Sequence, residues 1–322
     1  IADDAFFGCD QLQSVEMPNN LEIIGFGAFG ACRNLASITL PNTLTKLGRY
    51  AFANCEKLTD ITIPEGVTTI GTQTFEYCES LASVTLPSKL TEIGSSAFAY
   101  CKQLTDITIP EGVTTIGYEA FANCGLLASI TMPSALTEIG RDAFDMCEKL
   151  KKVYISDIAN WCKINFVSES HIALSPSNPL SVANAELYLN GELVTEIKAN
   201  DMGIEKFGSR CFSGCSSIQN VDVDGYEIEE QAFYGCQNIT YVADVSKVGD
   251  HAFCYCTSLK KLRLKSATIG WYAFLGCTSL EEVTHANNCN TNTIGYRAFY
   301  NCSNLISYTQ GNSRGADYIG EE

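Results

Sequence analysis

Apolar residues return in register every 23 residues through the first half of this chain. In residues 56–78, EKLTDITIPEGVTTIGTQTFEYC, the apolar set begins as an L-x-x-I-x-I run of Leu58, Ile61 and Ile63. Alternate side chains of such a run face one side of a strand. Pro64 ends the strand because it has no N–H to offer a ladder. Val67 and Ile70 carry the apolar set round the bend, and Gly71 follows where the backbone is expected to turn tightly. Phe75 and Cys78 stand three apart, the spacing of one face of a short helix or 3₁₀ turn. Strand, bend and helical piece make one coil. The Phe-x-x-Cys step recurs twelve times, from Phe6-Cys9 to Phe144-Cys147 at 23-residue intervals and from Phe212-Cys215 to Phe299-Cys302 at intervals of 20 to 25. Self-similarity at this period predicts a solenoid, because one coil cannot cover its own apolar face and a stack can.

Stacked coils pair their strands in parallel at about 4.8 Å. The pattern predicts an α/β repeat architecture of about 13 coils, with a parallel sheet on the concave face and short helical or 3₁₀ segments on the convex face. Alanine precedes most of the phenylalanines and lets coils approach closely; Thr74 and Cys211 are the exceptions. The early coils also alternate. Residues 56–78 and 102–124 share LTDITIPEGVTTIG, whereas 33–55, 79–101 and 125–147 share a LAS…T-(L/M)-P form, so a 46-residue unit is repeated. The later coils are less regular. Proline is lost after the strands, Glu229 replaces the glycine after Ile228, and Asp244 falls where an inward aliphatic is expected.

The ordered recurrence of strand, proline, Ile-Gly, Ala-Phe and Cys over 1–155 and 204–308 resembles the BspA-like leucine-rich repeat family. The resemblance implies a right-handed leucine-rich-repeat solenoid. It also implies a non-enzymatic, surface-exposed or secreted protein of a host-associated microbe that adheres to host proteins or other cells. The family has no shared catalytic residues to carry over. The expected organisation is a single solenoid over 1–322, with regular repeats in 1–155, an expanded irregular repeat in 156–203, less regular repeats in 204–308 and a tail in 309–322. The chain opens mid-repeat and closes on QGNSRGADYIGEE, which suggests a piece of a longer protein whose export signal and anchor lie elsewhere.

Charge narrows the partners. With 21 basic and 37 acidic residues the formal net charge is −16, which repels nucleic acid and anionic membrane. No apolar run reaches the roughly 18 residues a transmembrane helix needs. The periodic cysteines occupy one inward position and read as buried reduced thiols, since free Cys behaves as a small hydrophobe. Cys162 and Cys289 lie off that ladder and are the better candidates for reactivity or a bridge. No metal is expected: Cys211 with Cys215, and Cys254 with Cys256, each include a ladder cysteine, and no histidine follows at finger spacing. His171, His251 and His285 are the only histidines, and no nucleophile, phosphate-loop or zinc-protease motif accompanies them. Neither catalytic residues nor a cofactor are expected.

Residues 156–203 break the period. Asp157 is placed to cap a helix containing Ile158, Trp161 and Cys162. Pro176 and Pro179 are expected to block helix in the polar stretch that follows. AELYLNGELVTEI reads as a hairpin turning at Asn190-Gly191. Between the inward aliphatics of each strand one outward residue should line the concave sheet. These include Thr62, Thr85, Thr108 and Thr131, then Tyr154, Tyr188, Asp222, Ala243 and Arg263, with Tyr241 flanking them. The threonines suit strand propensity and cross-strand fit as well as binding. The change to tyrosine and charge marks the central and later coils as the contact zone, because tyrosine and arginine are enriched at interfaces. A monomer binding a protein of a host matrix or cell surface is expected. A passive spacer, or a carbohydrate-binding module using aromatics such as Trp161 or Tyr188, are the alternatives.

Overall fold

A computed structural model describes residues 1–168, 177–286 and 293–308; His171, Pro176, Cys289 and the tail 309–322 lie outside the described residues. The fold is a parallel-sheet β-solenoid of about 12 turns with little helix. It divides into two compact units. One comprises 1–156 with 166–168 and 177–183, the other 157–165 with 184–286 and 293–308.

In the first unit every coil contributes to three ladders. The first is the expected strand, as in Asp60–Thr62, Ser83–Thr85, Asp106–Thr108 and Ser129–Thr131, with Ile61, Ile107 and Ile130 buried. The second is a two-residue strand at the bend, Thr69–Ile70, Glu92–Ile93, Thr115–Ile116 and Glu138–Ile139, joined in parallel. The third is the Ala-Phe-x-x-Cys segment, in which backbone N–H groups alternate in direction. Tyr50, Phe52 and Asn54 donate forward to Thr72, Thr74 and Glu76 of the next coil at 3.1, 2.9 and 2.7 Å. Ala51, Ala53 and Cys55, which alternate with them, close i→i+3 turns on Gly48, Tyr50 and Phe52. This alternation requires left-handed residues two before and two after each phenylalanine, such as Tyr50 at φ 60° and Asn54 at φ 59°. Each costs about 1–2 kcal/mol for a residue with a Cβ, and the hydrogen bonds to the neighbouring coil hold them there.

The core follows from stacking. From Phe6 to Phe144 the rings lie 5.1 to 5.7 Å apart and within 9° of parallel. Phe29 through Phe144 are fully buried. Behind each ring the cysteine thiol points at the preceding coil. Cys55, Cys78, Cys101, Cys124 and Cys147 donate to the carbonyls of Phe29, Phe52, Phe75, Phe98 and Phe121 at 3.2 to 3.3 Å. Burial pushes Cys78 and Cys147 up to about 12, so they stay protonated donors.

The glycine after Ile70 and its equivalents do not serve a left-handed turn. Gly94 is outside the left-handed region, and a Cβ on it would lie 2.8 Å from the Gly71 carbonyl carbon and the Thr72 nitrogen. Close approach between coils, not turn geometry, demands glycine here. The alternation of the early repeats has a physical counterpart too. Glu65, in a Pro-Glu-Gly bend, accepts the N–H and hydroxyl of Ser88 in the next coil's Pro-Ser bend at 3.0 and 2.7 Å. Glu111 does the same for Ser134 at 2.8 and 2.9 Å.

The second unit repeats the scheme with shorter coils. Without a proline bend, the two strands of a coil merge into Tyr241–Val248 and Lys261–Ile269. The register shifts between Val242 and Val245. That bulge corrects the expectation for Asp244: Asp244 takes φ 56° and turns outward, and Val245 fills the core. Ala243, expected on the outward face, keeps its register opposite Asp222 but is buried there.

The irregular segment matches its capping and hairpin signals. Asp157 caps the helix Ile158–Trp161 by accepting the Asn160 N–H at 2.9 Å. Asn190 and Gly191, at φ 51° and 87°, turn an antiparallel hairpin pairing Tyr188 with Leu193. Pro179 does not block helix. It opens the helical turn Pro179–Val182 behind an Asn178 cap, a position where its missing N–H is not needed.

Candidate binding faces

The first unit gathers its expected site residues in register. Thr62 pairs with Thr85, and Thr108, Thr131 and Tyr154 form one column across three strands. A second column beside it runs Asp106, Ser129, Lys152. Thr62, Thr85 and Thr108 are exposed; Thr131 and Tyr154 are half-buried. Ladder bonds such as Ile109 N–H to Thr131 O at 3.0 Å and Met132 N–H to Tyr154 O at 2.8 Å hold the backbone. The hydroxyls and the Tyr154 ring therefore stand on a rigid base, repeating at the coil rise of about 4.8 Å.

In the second unit Asp222 and Tyr241 lie on adjacent strands, Asp222 opposite Ala243 and Tyr241 between Asn220 and Lys261. Arg263 sits one strand further on, opposite Thr284. Asp244 grips Arg263 through both carboxylate oxygens, at 3.0 Å to Nε and 2.7 Å to Nη2. That bond raises the guanidinium's pKa and orients its planar fork. Asp244, which the repeat pattern marked only as an irregularity, is thus part of this face; its place in a strand expected to be apolar was the available signal. Tyr188 stands apart on the hairpin, its hydroxyl donating to Glu186 at 2.8 Å.

Trp161 is removed as a sugar-stacking candidate. It is 2% exposed, and its Nε1–H donates to the Cys211 carbonyl at 2.6 Å. Its neighbour Cys162 is buried as well. Exposed aromatics occur instead at the variable positions around the Ala-Phe-x-x-Cys segments, Phe7, Phe26 and Tyr118 in the first unit and Tyr255, Trp271, Tyr296 and Tyr300 in the second. Trp271 is 60% exposed, and Arg297 lies over the rings of Tyr296 and Tyr300 at 5.0 and 4.9 Å. Variable slots carry no periodic signal, so counting repeats passes over them. His251 stacks on Tyr272, and His285 meets Tyr308 edge-on. Among the described residues no cluster of His, Cys, Asp or Glu is arranged to hold a metal, and no helix is long and apolar enough to cross a membrane.

Parallel strands, stacked phenylalanines and a thiol ladder define a leucine-rich repeat protein. The family described as BspA type leucine-rich repeat region matches residues 1–126, 91–219 and 205–315, and the chain belongs to it. A leucine-rich repeat protein from Bacteroides ovatus is similar at 30% identity over 92% of this chain and 74% of its own, with a TM-score of 0.64. A leucine-rich repeat protein from Eubacterium ventriosum shares 22% identity over 84% of this chain and 72% of its own, with a TM-score of 0.51, a likeness of fold. No curated protein matches the chain. A repeat protein of this type is consistent with a protein-binding or surface module.

Proposed function

We propose that this chain is a non-catalytic binding module at a microbial cell surface or outside the cell, and that its first strand ladder engages a protein of a host matrix or cell surface. The observation that carries this reading is the in-register column Thr108, Thr131, Tyr154. Its side chains face outward from strands whose alternate residues are buried. A rigid row of hydroxyls ending in tyrosine offers adaptable hydrogen bonding next to a large amphipathic ring. Asp222, Tyr241 and the braced Arg263 offer charge and aromatic surface of the same kind in the second unit, and Tyr188 adds a further ring. The module acts as a monomer.

The test is saturable binding to immobilised matrix proteins and host cells, comparing the native chain with a Tyr154→Ala, Tyr188→Ala, Tyr241→Ala variant. The expected result is at least about a tenfold loss of affinity with the unfolding midpoint little changed. Equal binding by both proteins would remove the strand face from the reading, and no binding by either would leave a spacer role.

A further inference from the structure

A second surface lies along the glycine column of the first unit. There the bends of successive coils enclose an open groove of about 800 Å³, running from Lys46 and Arg49 to Arg141. After Gly25, Gly48, Gly71, Gly94 and Gly117 the backbone N–H of the next residue joins none of the regular ladders. In three coils the chain covers that N–H with its own carboxylate. Asp3 Oδ1 accepts from Phe26 at 2.7 Å, Asp250 Oδ1 from Trp271 at 2.7 Å, and Glu229 Oε2 from Ser209 at 3.0 Å. The equivalent N–H groups of Arg49, Thr72, Ser95 and Tyr118 have no acceptor among the described residues. These same four residues line the groove. Four consecutive donors thus stand in a row, in positions whose counterparts take carboxylate oxygens elsewhere in the molecule.

The spacing selects the ligand. The donors repeat at the coil rise of about 4.8 Å, whereas an extended peptide presents same-side groups about every 6.6 Å and falls out of step within two coils. A 1,4-linked chain of pyranose rings advances by close to one coil per ring and turns successive rings over, so its same-side carboxylates recur about every two coils and stay in step with alternate donors. Charge in the groove is mixed, with Lys46, Arg49 and Arg141 against Glu92 and Glu138. Acidic groups beyond about 8–10 Å are largely screened at physiological ionic strength. Backbone donors aimed at carboxylates add charge-assisted hydrogen bonds. We propose that this groove binds a linear polysaccharide carrying a carboxylate on each ring, one ring per coil. This site is separate from the strand face and does not depend on it.

The experiment titrates the whole chain with oligogalacturonates of increasing length, with neutral dextran and poly-glutamate as comparisons. A Thr72→Asp, Ser95→Asp variant places carboxylates where Asp3 and Asp250 stand, so that they cover the N–H groups of Ser95 and Tyr118. The expected results are affinity that rises until about four rings span the row, weaker binding of both comparison polymers, and at least about a tenfold loss in the variant with its unfolding midpoint kept or raised. The Tyr154, Tyr188, Tyr241 variant keeps full affinity for the sugar. Absence of binding, equal binding of poly-glutamate, or undiminished binding by the folded Asp variant would each overturn the proposal.

Discussion

The thiol of Cys78 donates to the carbonyl of Phe52 in the preceding coil at 3.2 Å, and the same carbonyl accepts the Cys55 N–H at 3.2 Å. One buried oxygen is thereby shared between two coils. An alanine or valine at the ladder position would fill space but leave this acceptor with a single partner. The recurring cysteine is therefore a hydrogen-bond donor in the core as well as a small apolar group.

Cys78→Ala should destabilise the protein by about 1–2 kcal/mol, combining a small cavity with a lost donor. Urea unfolding measures it. In the native state the ladder thiols should resist alkylation, because burial raises their pKa. Exposed Cys9 should be modified first and half-buried Cys302 next, as peptide mass spectrometry would resolve. Rapid native labelling of Cys101 or Cys124 would contradict the shared-carbonyl arrangement.

Gly94→Ala should cost about 1–3 kcal/mol even though its backbone conformation is open to any residue, since the new methyl meets the preceding coil's backbone. Gly125→Ala is the control. A Cβ there meets nothing within 4 Å, and the change should be neutral or slightly stabilising. Equal effects from the two would point to backbone entropy rather than coil contact.

Asp244→Val restores the aliphatic residue that the repeat pattern calls for and should nonetheless destabilise the second unit by about 1–3 kcal/mol. A β-branched side chain is strained at φ 56°, and Arg263 loses its bidentate partner. Asp244→Gly relieves the strain and should cost less. Thermal unfolding of the pair separates strain from the ion pair; a more stable valine variant would show that the bulge is not required.

Glu65 has its carboxyl pKa lowered chiefly by the Ser88 hydroxyl, then by the Ser88 N–H. A depressed folded pKa gives stability that is present above the unfolded value, about 4.3, and is lost as pH falls through the folded value. The melting temperature of Glu65→Gln should therefore lie below that of the native chain near neutral pH and converge on it in acid. A gap that widens towards low pH would reverse the assignment.

Much of this molecule could be read directly from the chain. A stacked coil needs the same apolar residue at the same place each time, so Phe29, Phe52 and Phe75 announce the ring column, and Asp157 and Asn190-Gly191 mark the helix and hairpin by local chemistry alone. The thiol ladder was legible as burial but not as hydrogen bonding, because a donor's partner lies one coil away. Gly94 was legible as a necessity but for the wrong reason, since a close approach looks like a turn until the neighbouring backbone is in place. The short strand at Thr69–Ile70, the outward turn of Asp244, the burial of Trp161 and the row of N–H groups from Arg49 to Tyr118 arise only when coils meet. Periodic burial is a property of one coil and is written in its sequence; which polar groups find partners is settled between coils, by distances of a few ångströms that no single repeat contains.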